Sequence, residues 1–196
     1  MSTLKQTPSQ TVGPFFAYGL CPEQYQFDLR SIFTPVLAER HAAGLPITIE
    51  GRVYDGSGQA VSDAVIEMLQ ADATGKDVQS PDDISATGFR GFARVGTGTS
   101  PEARYAVDTI KPGSASATSA PHIDVIVMMR GMLLHAYTRI YFEDDAQDHA
   151  QDAVLAAVPA QRRATLIARR RADTRRVVYQ FDIHLQGPRE TVFFDL

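Results

Sequence analysis

The chain has 196 residues, one cysteine and a formal charge of -4, from 19 Lys plus Arg against 23 Asp plus Glu. That length suits one ordinary domain that buries its core unaided, and the mild acidity excludes a global basic field for nucleic acid. Cys21 alone excludes an intramolecular disulfide or a thiolate metal cluster.

Residues 1 to 20 are rich in Ser, Thr, Gly and Pro around TPSQTVGPFFAYGL and predict an extended arm with aromatic anchors. Its opening, MSTLKQTPSQ, holds no apolar signal core, and no run approaches the roughly 18 apolar residues of a membrane span. The expectation is a cytoplasmic protein that meets small molecules and neither membrane nor nucleic acid. DLRSIFTPVLAERHAAGLP then predicts a short helical stretch, with Asp28 as cap and Pro35 as an interruption.

From residue 47 the texture changes. ITIEGRVYDGSGQAVSDAVIEMLQAD contains two apolar runs, the first ended by the turn-forming DGSG. GFARV, RYAVDTI, HIDVIVMM, LLHAYTRIYF, VVYQFDIHL and TVFFDL follow as strands, with Gly and Pro between them. MMRGMLL puts Arg130 and Gly131 at a hairpin turn, near a sheet end where sites are often built. The stretch EDDAQDHAQDAVLAAVPAQRRATLIARRRADTRR predicts a helical excursion before the last strands. Its block Arg169, Arg170, Arg171, Arg175 and Arg176 reads as a solvated or intersubunit face. The sum is an all-β fold, an immunoglobulin-like β-sandwich with short helical excursions. Residues 1–45 form the arm and helical segment, and 46–196 form the sandwich.

Several residues suggest chemistry. His122 and Asp124 stand two apart at the head of an apolar strand, so both side chains point to one face and can meet one ion. With His184 they would complete a two-histidine, one-carboxylate iron triad followed by Arg189, although His184 also fits a packed or exposed strand position. His135, Tyr137, Arg139 and Tyr141 alternate and so share a face, lining a cavity or packing at an interface. No nucleophile elbow or phosphate loop is present.

ITIEGRVYDGSGQAVSDAVIEMLQADATGK, RYAVDTIKPGSASATSAPHIDVIV and TRIYFEDD together resemble the intradiol ring-cleaving dioxygenases. With TPSQTVGPFF, QRRATLIARR and GPRETVFFDL, the likeness covers nearly the whole chain, which resembles the α-type chain of members that cleave protocatechuate. The family's catalytic chain holds non-haem Fe(III) with two tyrosines and two histidines. At the matching positions this chain has Asp77 and Ala115 for the tyrosines, and His122 and Asp124 in the His-x-His strand.

The resemblance therefore implies no metal ligand set and no catalytic residue in this chain alone. It implies Fe(III) on a β-type partner chain, assembly into a higher-order hetero-oligomer of α-β protomers, and cleavage of protocatechuate with O2 to 3-carboxy-cis,cis-muconate in the β-ketoadipate route of aromatic catabolism. It also implies that Thr11, Gly13, Pro14 and Arg130 line the partner's substrate pocket. Thr11 supplies a hydroxyl, Gly13 permits close backbone approach, and Pro14 stiffens the arm. Arg130 supplies a guanidinium for the substrate carboxylate. Two other readings remain at this point: an independent iron oxygenase using His122, Asp124 and His184, and a β-sandwich binding module without enzymatic partner.

Overall fold

The computed structural model describes residues 5–172 and 176–195. β1 (Pro46–Tyr54) shows how its pattern is cashed into structure: Ile47, Ile49, Gly51 and Val53 are buried and their neighbours are not. Gly51 sits on that buried face because a Cβ there would lie 1.8 Å from the carbonyl oxygen of Phe181. Only glycine lets the two backbones approach so closely.

Eight further strands are formed among the described residues: β2 (Val65–Leu69), β3 (Phe92–Gly96), β4 (Arg104–Ile110), β5 (His122–Met128), β6 (Ala136–Phe142), β7 (Ile167–Arg170), β8 (Val177–Gln180) and β9 (Ile183–His184). They follow the order β3-β2-β5-β6-β7-β8-β1-β4, with β9 beside the far end of β1. β7 is the joint between two layers. Tyr141 and Phe142 of β6 pair with its first half, whereas Gln180 and Tyr179 of β8 pair with its second half. The all-β expectation holds as a nearly closed sheet. The immunoglobulin-like detail does not follow from this order, since β7 makes the two layers continuous.

The expected helix in residues 28–46 is corrected. Instead the segment runs between the sheet's two open edges. Thr34 O accepts from Arg94 N of β3 at 3.1 Å, Pro35 O accepts from Asp108 N of β4 at 3.0 Å, and Leu37 N donates to Asp108 O at 2.9 Å. The edges offer unpaired backbone groups, and satisfying them outweighs weak helix propensity in a segment interrupted by Pro35. Leu37 is fully buried as a result.

Other boundaries also move. The helical excursion is present as a 3-10 turn at Glu143–Asp145, short helices at Ala146–His149 and Ala153–Ala157, and a second 3-10 segment at Ala160–Leu166. Its end, IARR, is β7 and not helix. VVYQFDIHL is split into β8 and β9, and TVFFDL contributes one bridge, Phe194 to Tyr137, in place of a strand. Two helices lacked a sequence prediction, Phe16–Leu20 and Pro81–Thr87. The second carries a full capping box between Ser80 and Asp83 and ends at Gly88 with φ +69°. In the arginine block Arg169 and Arg170 are exposed, Arg171 pairs with Glu50 at 2.8 Å, and Arg175 lies outside the described residues.

The core lies between the layers and includes Ile49, Ile66, Met68, Ile123, Val125, Ile140 and Tyr105. Burial raises the Tyr105 phenol well above its ordinary pKa, and its hydroxyl donates to Phe181 O at 2.5 Å. The hydroxyl thus keeps a partner while its ring fills the centre. A second cluster, with Leu155, Val158 and Leu166 around Tyr141, fixes the excursion against β6.

Candidate functional site

β5 carries His122 and Asp124 on one face, as its alternation requires. They open onto a cavity of about 540 Å³ that Asp77 and Ala115 also line. All four positions that correspond by resemblance to metal ligands therefore converge. Two loops bring the last two in. Asp72 Oδ1 accepts from Thr74 N at 2.7 Å and Lys76 N at 3.0 Å, closing the DATGK turn, while Gly113 N donates to Asp72 O at 2.8 Å. A Cβ on Gly75 would stand 2.0 Å from Ser114 O, so the loops touch through backbone.

The donors at this convergence do not fit Fe(III). Ala115 offers no ligand atom. Asp124 accepts from Arg139 Nε at 2.9 Å, from the residue directly opposite on β6, and from the Tyr137 hydroxyl. Burial opposes the Arg139 charge, but bonds to Tyr137 and Tyr141 and the Asp124 carboxylate leave its pKa raised. Burial first, then the bond to Asp124, raises the Tyr137 phenol. His122 Nδ1 lies 2.8 Å from Ala120 O and so carries the proton it donates there, leaving Nε2 3.7 Å from Asp124. A protein cation already neutralises the one carboxylate of the strand, and a metal ion would have to displace it.

His184 is elsewhere. Its ring stacks on Tyr54 with centroids 4.8 Å apart, and it lines a different cavity with Arg169 and Arg189. Burial and the Arg189 charge lower its pKa. Among the described residues no three His, Cys, Asp or Glu side chains are grouped to hold a metal, so the His122, Asp124, His184 triad is not assembled. Of the other alternating set, Tyr137 and Arg139 meet on Asp124, and Tyr141 is buried, donating to Asp152 at 3.1 Å. His135 precedes β6 and is exposed. Asp152, also accepting from Ala120 N at 2.9 Å and Leu155 N at 2.7 Å, went unnoticed in the sequence, where its N-cap position before AVLAA was the available signal.

The second constellation joins the arm to the β5–β6 connection. Gly131 has φ +90°, the conformation that favours glycine, and its N–H donates to Thr11 Oγ1 at 2.8 Å. Beside it Arg130 Nε donates to Asp63 Oδ2. The arm thus lies on the turn that carries Arg130: Thr11 and Gly131 bond across 120 positions of sequence, which brings two of the four expected pocket residues, Thr11 and Arg130, to the same turn. Gly13 and Pro14 continue the arm into the Phe16–Leu20 helix: Gly13 O accepts from Phe16 N at 3.1 Å, and a Cβ on Gly13 would meet nothing within 4 Å. Phe15, next after Pro14 in the arm, is 73% exposed, and Leu133 and Leu134, just past Gly131, are 64% and 69% exposed. Large apolar side chains left exposed next to these polar contacts have the composition of a binding surface.

A family model described as "Dioxygenase" matches residues 33–187. The chain is 58% identical over its full length, and that of the relative, to a "Protocatechuate 3,4-dioxygenase alpha chain" of Burkholderia cepacia. It is 32% identical to the "Protocatechuate 3,4-dioxygenase beta chain" of the same organism, over 74% of this chain and 66% of that one. The fold is similar to that of the dioxygenase domain of a dioxygenase carbohydrate-binding protein fusion from Streptomyces sp. SirexAA-E, with TM-score 0.61 and 21% identity, covering 96% of this chain and 100% of the other.

Proposed function

Because this chain belongs to the intradiol ring-cleaving dioxygenase family, we propose that it is the iron-free α subunit of a protocatechuate 3,4-dioxygenase, built to complete the substrate pocket of a β subunit. The observation that carries this reading is the cavity at β5. The ligand positions of the iron-dependent family converge there, yet one is alanine and another is a carboxylate held by Arg139. The fold has kept the shape of a metal site while its chemistry has been replaced.

In this reading Fe(III) resides on the β chain, which supplies the ring-opening chemistry. The complex cleaves protocatechuate with O2, between its hydroxylated carbons, to 3-carboxy-cis,cis-muconate. This chain contributes shape and charge. Thr11, Gly13 and Pro14 form a wall, with Thr11 fixed to the Gly131 N–H. Arg130 faces the substrate carboxylate, and holding a reactant by that remote group orients the reacting ring without touching it. Phe15, Leu133 and Leu134 are covered by the β chain in a cytoplasmic hetero-oligomer of α-β protomers. The arm around Thr11 to Pro14 then reaches the partner, while the sheet body, whose edges Thr34, Pro35 and Leu37 close, supplies the scaffold.

The test is iron content, visible absorbance and oxygen uptake on protocatechuate for this chain alone and co-expressed with its β chain. Iron, tyrosinate-to-iron colour and activity are expected only in the co-assembled sample. Stoichiometric iron and oxygen consumption by the lone chain would overturn the proposal. Thr11→Ala in the assembled enzyme should leave iron per αβ protomer unchanged and raise KM about threefold, the effect of one lost neutral hydrogen bond of about 0.6 kcal/mol. A parallel loss of iron would place Thr11 outside the pocket wall.

A further inference from the structure

We propose that Asp63 is a positioning residue for substrate selection, a role that rests on the reading of Arg130 given above. Arg130 stands on an open turn, with its side chain 59% exposed, and a free arginine there would sample many rotamers. Asp63 removes that freedom from one side. Its carboxylate, with only 21% of the side chain exposed, takes the Nε edge of the guanidinium. Among the described residues no other partner of Arg130 is formed. The Nη1 and Nη2 hydrogens at the far end are left to meet a carboxylate with two parallel bonds.

The mount of Asp63 is stiff. Thr97, fully buried just past β3, donates its hydroxyl to Val61 O at 2.7 Å and accepts from Ala64 N at 3.1 Å, while its own N–H donates to Ala64 O at 3.0 Å. Thr97 thus ties both ends of the four-residue segment that carries Asp63. The adjoining Gly98 has no room for a side chain, since a Cβ would lie 2.5 Å from Ser62 O. Position therefore passes from the core through Thr97 to Asp63, and from Asp63 to Arg130. A carboxylate beside an arginine can also compete with an anionic substrate. Here it occupies the Nε edge, and the rigid mount makes orientation the larger effect.

The experiment uses the co-assembled enzyme with protocatechuate and with catechol, the same ring without the carboxylate. Asp63→Ala should raise KM for protocatechuate about fivefold, leave kcat within twofold and leave KM for catechol unchanged. Asp63→Asn keeps an acceptor oxygen at the same place and should recover part of the loss, which also serves if the alanine variant assembles poorly. In an Arg130→Ala background the Asp63 substitution should add nothing. A fall in KM for protocatechuate, or an equal change for both substrates, would overturn the role of Asp63. If Arg130→Ala alone fails to distinguish the two substrates, the parent reading of Arg130 falls and takes this inference with it.

Discussion

Arg130→Ala in the co-assembled enzyme is expected to raise KM for protocatechuate about tenfold while changing KM for catechol by less than twofold. A hydrogen bond to a charged group contributes about 1.5–3 kcal/mol, and tenfold corresponds to ~1.4 kcal/mol. The lower end applies because the side chain stands at a turn and its charge is shared with Asp63. Under the proposed function the iron is held by the β chain, so it should be retained in full. Steady-state kinetics on the two substrates with iron measured per protomer checks the result. Equal effects on both would remove the carboxylate role, and loss of iron would show that the turn supports the β subunit's metal site. Arg130→Lys keeps the charge but loses the paired geometry, and should fall between wild type and alanine.

The strands were legible because their buried faces follow a period of two that survives any tertiary context, as in β1 and β5. DGSG was legible for a local reason: Asp55 Oδ1 accepts from Ser57 N and Gln59 N, both at 2.9 Å, and Gly58 adopts φ +78°. The same turn recurs in DATGK, which loops one wall of the cavity. Residues 28–46 were misread because what holds them is distant. Their partners are Asp108 and Arg94, and no local pattern announces that two sheet edges will need closing. β7 was hidden for a similar reason, as four residues shared between β6 and β8 have no period of their own.

The site divides along the same line. His122 and Asp124 were visible as a pair, and their chemistry was not, since Arg139 becomes decisive only through its register opposite Asp124. Thr11 and Arg130 were assigned through family resemblance, and it is the arm lying on the turn that makes them neighbours. Asp63 carries no motif at all. It matters because a buried threonine on another strand end fixes the turn around it.

Asp124→His, which would recreate a His-x-His strand, is expected to yield no iron and to lower stability by about 2 kcal/mol, or about 4–8 °C in Tm for a chain this size. The substitution restores one imidazole beside His122. It leaves alanine at 115 and a carboxylate at 77, so the hard phenolate donors that favour the oxidised metal stay absent. It also strands Arg139, whose side chain is only 20% exposed and whose Nε would lose its acceptor. Breaking a fully buried pair costs about 3–5 kcal/mol, and the partial exposure of both groups here reduces that. Thermal unfolding of the assembled protein and metal analysis of the lone chain check the two halves separately. Stoichiometric iron in the lone variant would mean that Arg139 yields to a metal and that the cavity is one substitution from function. Unchanged stability would mean that the Asp124–Arg139 pair is not what holds β5 to β6 at this point. The expected pair of results, a weaker fold and no metal, would show that the strand's polar residues now serve its own neutralisation, as the proposed assignment of iron to the β chain requires.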